Sequence, residues 1–190
     1  MTHRVGLDRQ MVIQAAAELA DANGVEQVTL ATLAARLGVR TPTLYHYVDG
    51  LDGLRRELDL LGTRELARTL GRAVMGRSGD EAIEALALAY RTFAQTRPGL
   101  YAAGVRAADP EDRELLEAEA EVVEIALRVL VVSQPDRDDA IHTVRIWRSM
   151  LHGFLSLEQD GGFGLPQDVD ETFRRLVLLM IQAARKDTLR

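Results

Sequence analysis

Nowhere in this chain do Val, Ile and Thr gather in the alternating runs that make a half-buried strand. Between its glycines and prolines, apolar residues recur instead at three- and four-residue steps, the period of a helix with one buried face. Ala, Leu, Arg and Glu dominate, and these residues lose little freedom on entering a helix. The five prolines, Pro42, Pro98, Pro110, Pro135 and Pro166, each precede or open such a stretch, where the missing N–H has no partner to lose. One fold class follows: all-α, with about nine helices. A length of 190 residues allows one or two domains and a sizeable core.

The first helix is predicted over residues 8–22, capped by Asp8, with Ile13, Ala16, Leu19 and Ala20 on one stripe and Gly24 as a left-handed stop. Thr29 caps a second helix bearing Leu30, Leu33, Ala34 and Leu37, closed by Gly38. Thr41 caps a third, very short helix that Pro42 opens and that holds Leu44, Tyr45 and Val48. Residues 49–53 then turn the chain into a fourth helix over 54–74. Five more are expected near 80–96, 99–107, 110–132, 136–157 and 168–186. The result is a three-helix helix-turn-helix head, residues 1–50, and a larger helical body, residues 51–190.

Charge at first argues against a nucleic-acid partner. The chain carries 23 basic residues against 29 acidic ones, a net charge of −6 with pI near 5.3. The deficit is uneven, however. Residues 1–48 hold four arginines and four acids, so all six excess acids lie in residues 49–190. DNA would have to meet a small local face of the first part. The absence of cysteine removes disulfides, thiolate metal sites and cysteine nucleophiles. No apolar run is long enough for a bilayer and no basic-then-apolar leader precedes the first helix, so no membrane partner and a cytoplasmic location are expected.

The strongest local signal runs from Thr29 to Tyr47. Two short helices joined by Leu37-Gly38-Val39-Arg40 make a helix-turn-helix, the glycine allowing the tight turn. In that motif the second helix enters the major groove by its N-terminal residues. Thr41, Thr43, Tyr45, His46 and Tyr47 offer hydroxyls and an imidazole to base edges and phosphates, and Pro42 can touch a thymine methyl. The free N–H groups at the helix starts of Thr29 and Thr41 suit phosphate. A plain helix corner with polar surface residues fits the same spacing.

The run Ala17-Glu18-Leu19-Ala20, Gly24, Val28-Thr29-Leu30, Leu33-Ala34, Leu37-Gly38-Val39, Pro42-Thr43-Leu44-Tyr45, Val48 and Leu54 resembles the N-terminal domain of the TetR family of transcriptional repressors. The resemblance implies a homodimer that inserts two recognition helices into successive major grooves of double-stranded operator DNA and lets go when a small-molecule effector binds the body. It implies DNA contacts at Thr29, Thr41, Pro42, Thr43, Tyr45 and Tyr47. The segment Asp49-Gly50-Leu51-Asp52 departs from a family pattern that places a lysine there, which shifts phosphate binding to Arg4, Arg9, Arg40 and Arg55. For Arg55 an ion pair with Asp52 or Asp59 is the competing expectation. The same acidic turn keeps open an α-helical ligand-binding or scaffolding protein that no longer reads DNA.

Trp147, His152-Gly153-Phe154, Leu157-Glu158 and Gly162-Phe163-Gly164 are similar to the C-terminal domain of a TetR subgroup named for its Trp, His and Gly. For an effector inside the body the candidates are Tyr90, Phe93, Tyr101, Trp147, Met150, Leu151 and His152, which mix apolar walls with two hydroxyls, an indole N–H and an imidazole. The composition favours a neutral or weakly polar ligand unless Arg91, Arg145 or Arg148 reaches in. Plain core is the competing reading of the same aromatics. The last helix repeats Phe173, Leu176, Val177, Met180 and Ile181 at three- and four-residue steps, a stripe expected to pair the last two long helices with their twofold copies as a four-helix bundle.

Other features point away from chemistry. His142 and His152 are ten residues apart, not the four that a metal pair prefers. Residues 109–124 carry eight acids against Arg113 alone, the pattern of a solvated helix face. Gly161 to Gly164 lacks a phosphate-loop lysine, and Gly76-Arg77-Ser78-Gly79-Asp80 does not make a nucleophile elbow. No cofactor or metal is expected, and no nucleophile–base pair supports an enzyme.

Overall fold

The computed structural model describes residues 6–105, 107–131 and 136–187, and every regular element among them is helical. They are α1 (Arg9–Asn23), a single 3-10 turn (Val25–Gln27), α2 (Leu30–Leu37), α3 (Thr41–Leu44), α4 (Gly50–Val74), α5 (Gly79–Thr96), α6 (Pro98–Ala103), α7 (Arg113–Leu130), α8 (Arg137–Gln159) and α9 (Val169–Asp187). Among the described residues the all-α expectation of about nine helices holds. Among the described residues no helix is long and apolar enough to cross a membrane.

Several boundaries differ from the sequence reading. Arg40, not Thr41, stands at the cap of α3, because Pro42 has no N–H to donate and the first N–H to turn back, on Thr43, reaches the Arg40 carbonyl at 2.9 Å. α3 stops at Leu44, whose carbonyl accepts from both Tyr47 (2.9 Å) and Val48 (3.1 Å), so residues 45–47 form a turn. α4 starts at Gly50, four residues early, since the bend takes only Val48 and Asp49 and Gly50 enters the helix at φ +72°. Gly24 has φ +88° but ψ 145°, outside the left-handed helical region, and leads into the 3-10 turn. Pro110 sits in a turn, and α7 begins only after Asp112, whose Oδ1 accepts from Leu115 N at 3.2 Å. Pro135 and the expected end of the seventh helix at Val132 lie outside the described residues.

The chain forms two compact units and passes between them within α4, at the end of α5 and within α7: Met1–Glu65 with Thr96–Leu116, and Leu66–Gln95 with Glu117–Arg190. The first has a core of Val12, Ala16, Leu33, Leu44, Leu54, Leu58 and Leu100, all fully buried. Two glycines let α6 come close to its neighbours. A methyl group at Gly99 would fall 2.5 Å from the Ala20 Cβ of α1, and one at Gly62 of α4 would fall 2.6 Å from the Leu100 carbonyl oxygen. Asp21 of α1 caps α6, its Oδ1 accepting from Gly99 N (2.9 Å) and Leu100 N (3.3 Å), while its Oδ2 accepts from Arg97 Nε at 2.7 Å. Arg97 also donates to Glu65.

The second unit buries Leu86, Phe93, Trp147, Leu151, Leu155, Phe173, Val177 and Met180. Arg91 of α5 ties it together. Its guanidinium donates to both oxygens of Glu158 on α8 and to Asp170 of α9 at 2.7 Å, and lies 4.6 Å from the Phe173 ring centroid. These bonds raise the Arg91 pKa, Glu158 contributing most.

Candidate nucleic-acid interface

The α2–α3 pair is built by local chemistry. Thr29, in extended backbone, accepts from Thr32 N at 3.1 Å while its own N–H donates to Thr32 Oγ1 at 2.9 Å, a reciprocal cap. Leu33 and Ala34 bury the inner face of α2. Gly38, at φ +67° and ψ 28°, closes it in the left-handed conformation that costs other residues most, and Val39 N donates to Ala34 O at 3.0 Å. The chain then leaves at a fixed angle into α3, which Leu44 anchors in the core with no exposed surface.

That anchor decides what the turn and α3 present outward. Tyr45 is 60% exposed, and Pro42, His46 and Arg40 are exposed as well. The Arg40 guanidinium forms no ion pair among the described residues. Thr41 and Thr43 are half-buried. Thr29 is exposed, yet its hydroxyl is already engaged with Thr32. Tyr47 stands apart from this set: it is half-buried, and its hydroxyl donates to the Leu7 carbonyl at 2.9 Å. Its step of three from Leu44, on the buried side with Val48, was the available signal.

The arginines divide in the same way. Arg4 lies outside the described residues. Arg9 pairs with Glu57 at 2.7 Å. Arg55 lies 3.8 Å from Asp52 and 4.0 Å from Glu26, so the ion pair anticipated with Asp52 is present, although the Asp52 side chain is almost wholly exposed. Sequence reasoning missed Arg56 and Glu57. Arg56 holds Asp112 with two bonds of 2.5 and 2.7 Å and also reaches Glu57 and Glu114, both at 3.1 Å. The Arg56 guanidinium holds the Asp112 carboxyl below the ordinary carboxylate range, and Arg56 followed by Arg64 does the same to Glu114. Partners this distant in sequence leave no local pattern. Arg9, Tyr47, Val48, Asp49, Gly53, Arg56 and Glu57 line a cleft of about 330 Å³.

In the second unit Tyr90, Phe93, Trp147 and Leu151 are buried, and Met150 and His152 are half-buried. Tyr101 is buried too, but on α6, so it belongs to the first unit. Arg91 is taken up by Glu158 and Asp170, while Arg145 and Arg148 of α8 are exposed. The α9 stripe requires a correction. Phe173, Val177, Met180 and Ile181 are buried within this chain's own second unit, and only Leu176 is half-buried. The apolar residues that α9 leaves exposed are Leu178 and Leu179, whereas α8 exposes Ile146 and Leu157.

Two family models match the chain. Residues 12–58 match the bacterial regulatory proteins of the tetR family, and residues 83–180 match the tetracyclin repressor-like C-terminal domain. The chain is 35% identical over 173 residues to the uncharacterized HTH-type transcriptional regulator YobS of Bacillus subtilis (strain 168), covering 90% of each protein. It is 31% identical over 183 residues to the uncharacterized HTH-type transcriptional regulator Rv0681 of Mycobacterium tuberculosis (strain H37Rv), covering 96% of this chain and 84% of that one. Its fold is similar to that of a TetR variant from Acinetobacter baumannii AYE in complex with minocycline, with TM-score 0.70, 23% identity and coverage of 95% and 98%.

Proposed function

The chain belongs to the TetR family of transcriptional regulators, and from that premise we propose that it is a repressor that binds palindromic operator DNA as a homodimer and is released by a small molecule. One observation carries the DNA-reading part. α3 and the turn after it are pinned by the fully buried Leu44, so that Pro42 of the helix and Tyr45 and His46 of the turn project from an anchored support. Residues 1–50 are the DNA-binding part and residues 51–190 bind the effector and the second copy. Thr43 reads a base, Tyr45 grips phosphate, and Arg9, Arg40 and Arg55 supply the charge that the acidic turn withholds.

The dimer forms through α8 and α9. Ile146, Gly153 and Leu157 follow one another at steps of seven and four along α8, and Leu176 and Leu179 lie three apart on α9. Ile146 and Leu179 are 59% and 60% exposed in the single chain, apolar surface that a second copy would cover. Gly153 has no atom within 4 Å of where a Cβ would stand, which leaves room for a second helix. For the effector, Tyr90, Phe93, Trp147, Met150, Leu151 and His152 share the second unit and favour a neutral or weakly polar molecule. The A. baumannii TetR variant of similar fold was solved in complex with minocycline, which supports a small-molecule effector for a chain of this fold.

Selection of bound duplexes from a random pool, followed by a salt series on the winner, tests the reading. A log–log salt slope set by several phosphate contacts and a palindromic winner are expected. Tyr45→Phe then weakens operator and nonspecific duplex alike, roughly tenfold for one lost bond to a charged group. Thr43→Ala relaxes preference at one base position. A chain that enriches no duplex is the scaffolding protein instead.

A further inference from the structure

We propose that Glu57 and Tyr47 are positioning residues for DNA binding, which act by fastening Arg9 in place beside the recognition helix so that its guanidinium meets a backbone phosphate. This rests on the DNA-binding reading above and adds to it two residues that would never touch DNA themselves.

The geometry has three parts. Arg9 is the first residue of α1, and its side chain is 60% exposed although one terminal nitrogen is held 2.7 Å from Glu57 Oε1. A guanidinium has five N–H donors in a planar fork, so a single contact leaves most of them free for a second acceptor. Asp49 lines the same cleft but forms no ion pair with Arg9 among the described residues.

Glu57 is not free to follow Arg9 outward. Its side chain is only 10% exposed, and Arg56 holds the same oxygen, Oε1, at 3.1 Å. Arg56 is itself fixed by two bonds to Asp112. The carboxylate is therefore a rigid post. Arg9 and Arg56 thus share one acceptor held in place.

Tyr47 supplies the third part. It directly follows the exposed pair Tyr45-His46, and its hydroxyl donates to the Leu7 carbonyl at 2.9 Å, two residues before Arg9. The backbone at the start of α1 and the guanidinium of Arg9 are thus each tethered to the segment that begins at the recognition helix. A long surface side chain normally loses rotamer freedom when it settles on a phosphate. Here most of that ordering is present before DNA arrives, which raises affinity without adding a contact.

Nonspecific duplex is a sufficient probe, since a phosphate contact carries no sequence information. Binding of a random-sequence 30-base-pair duplex is measured by fluorescence anisotropy from about 50 to 200 mM salt, the range over which phosphate contacts dominate. Arg9→Ala is expected to make the log–log slope shallower by about one. Glu57→Gln and Tyr47→Phe, which leave the Arg9 charge in place, are each expected to weaken binding roughly threefold to tenfold with a smaller change of slope. In the Arg9→Ala background both substitutions are expected to have almost no further effect, because they act through Arg9.

Additive losses in that background would show a general structural role and overturn the proposal. So would tighter binding by Glu57→Gln, which would make Glu57 a competitor for Arg9. Should Glu57→Gln fail to fold, Tyr47→Phe, which removes one oxygen, decides alone. If the wild-type chain shows no salt-dependent duplex binding, the DNA-binding reading fails. If it binds and neither positioning variant differs from it, this inference alone fails.

Discussion

Replacing Gly99 by alanine tests the joint between α6 and α1. The added methyl would stand 2.5 Å from the Ala20 Cβ and closer still to the backbone of Ala20 and Asp21. No side-chain rotation relieves a clash with main chain, so α6 must retreat by about an ångström. Overpacking of this kind costs about 1–3 kcal/mol by itself. Retreat also stretches the bonds that Asp21 accepts from Gly99 N at 2.9 Å and from Arg97 Nε at 2.7 Å. Each charge-assisted bond contributes about 1.5–3 kcal/mol when intact. Partial loss of one or two brings the total to about 3 kcal/mol or more, which lowers Tm by roughly 6–12 °C in a chain of this size. Gly104→Ala is the control, because a methyl there would meet Thr63 Oγ1 at 3.4 Å and Asp59 Oδ1 at 3.5 Å, ordinary contact distances. That variant should change stability by less than about 1 kcal/mol. Thermal unfolding followed by circular dichroism reads both. A Gly99→Ala Tm within about 2 °C of the wild type would refute the argument that close backbone approach requires glycine here.

Ile146→Glu combined with Leu179→Glu places charge on two residues that are 59% and 60% exposed in the single chain, so folding is retained by circular dichroism while sedimentation shows a monomer with weakened operator binding; a double variant that still sediments as a dimer would place the interface elsewhere. Trp147 is the only tryptophan, so an effector that releases DNA should shift its emission, and Trp147→Phe with His152→Ala should raise the effector concentration needed for release about tenfold while operator affinity stays unchanged. Unaltered release from that variant would move the pocket elsewhere. The Glu171 carboxyl, held by Arg174 and then Arg175, should titrate at about 2 rather than near 4.5 when its carbon-13 shift is followed by NMR. Because this folded-state pKa is depressed, the contribution of the pairing to stability is complete above the ordinary carboxylate range and lost as pH falls toward about 2. Neutralising both arginines should return the titration toward 4.5, and a normal value in the wild type would contradict the geometry.

What the sequence alone determined is whatever depends on neighbours within about four residues. Helical period, the Asp8 and Thr29 caps and the left-handed Gly38 are settled by local sterics and hydrogen bonding, and all appear where the pattern places them. The exposure of Tyr45 follows in the same way from its step beside the buried Leu44. Short elements were less legible. α3 has only four residues, too few for periodicity to define its end, and the start of α4 depends on one glycine dihedral.

Tertiary structure decided how side chains of similar character were allotted. Arg9, Arg55 and Arg56 look alike in sequence, yet one is tethered to a buried glutamate, one pairs weakly at the surface and one is locked to Asp112. The α9 stripe was visible as apolar, but whether Met180 faces its own chain or a second copy depends on what packs against it. Tyr47 reads in sequence as one more hydroxyl beside Tyr45, and only the fold brings the Leu7 carbonyl to 2.9 Å from it. The physical reason is common to all three. Helix formation is a short-range equilibrium that the local sequence contains, whereas ion pairing, burial and hydrogen bonding between segments 40 to 60 residues apart arise only when the whole chain has brought those segments together.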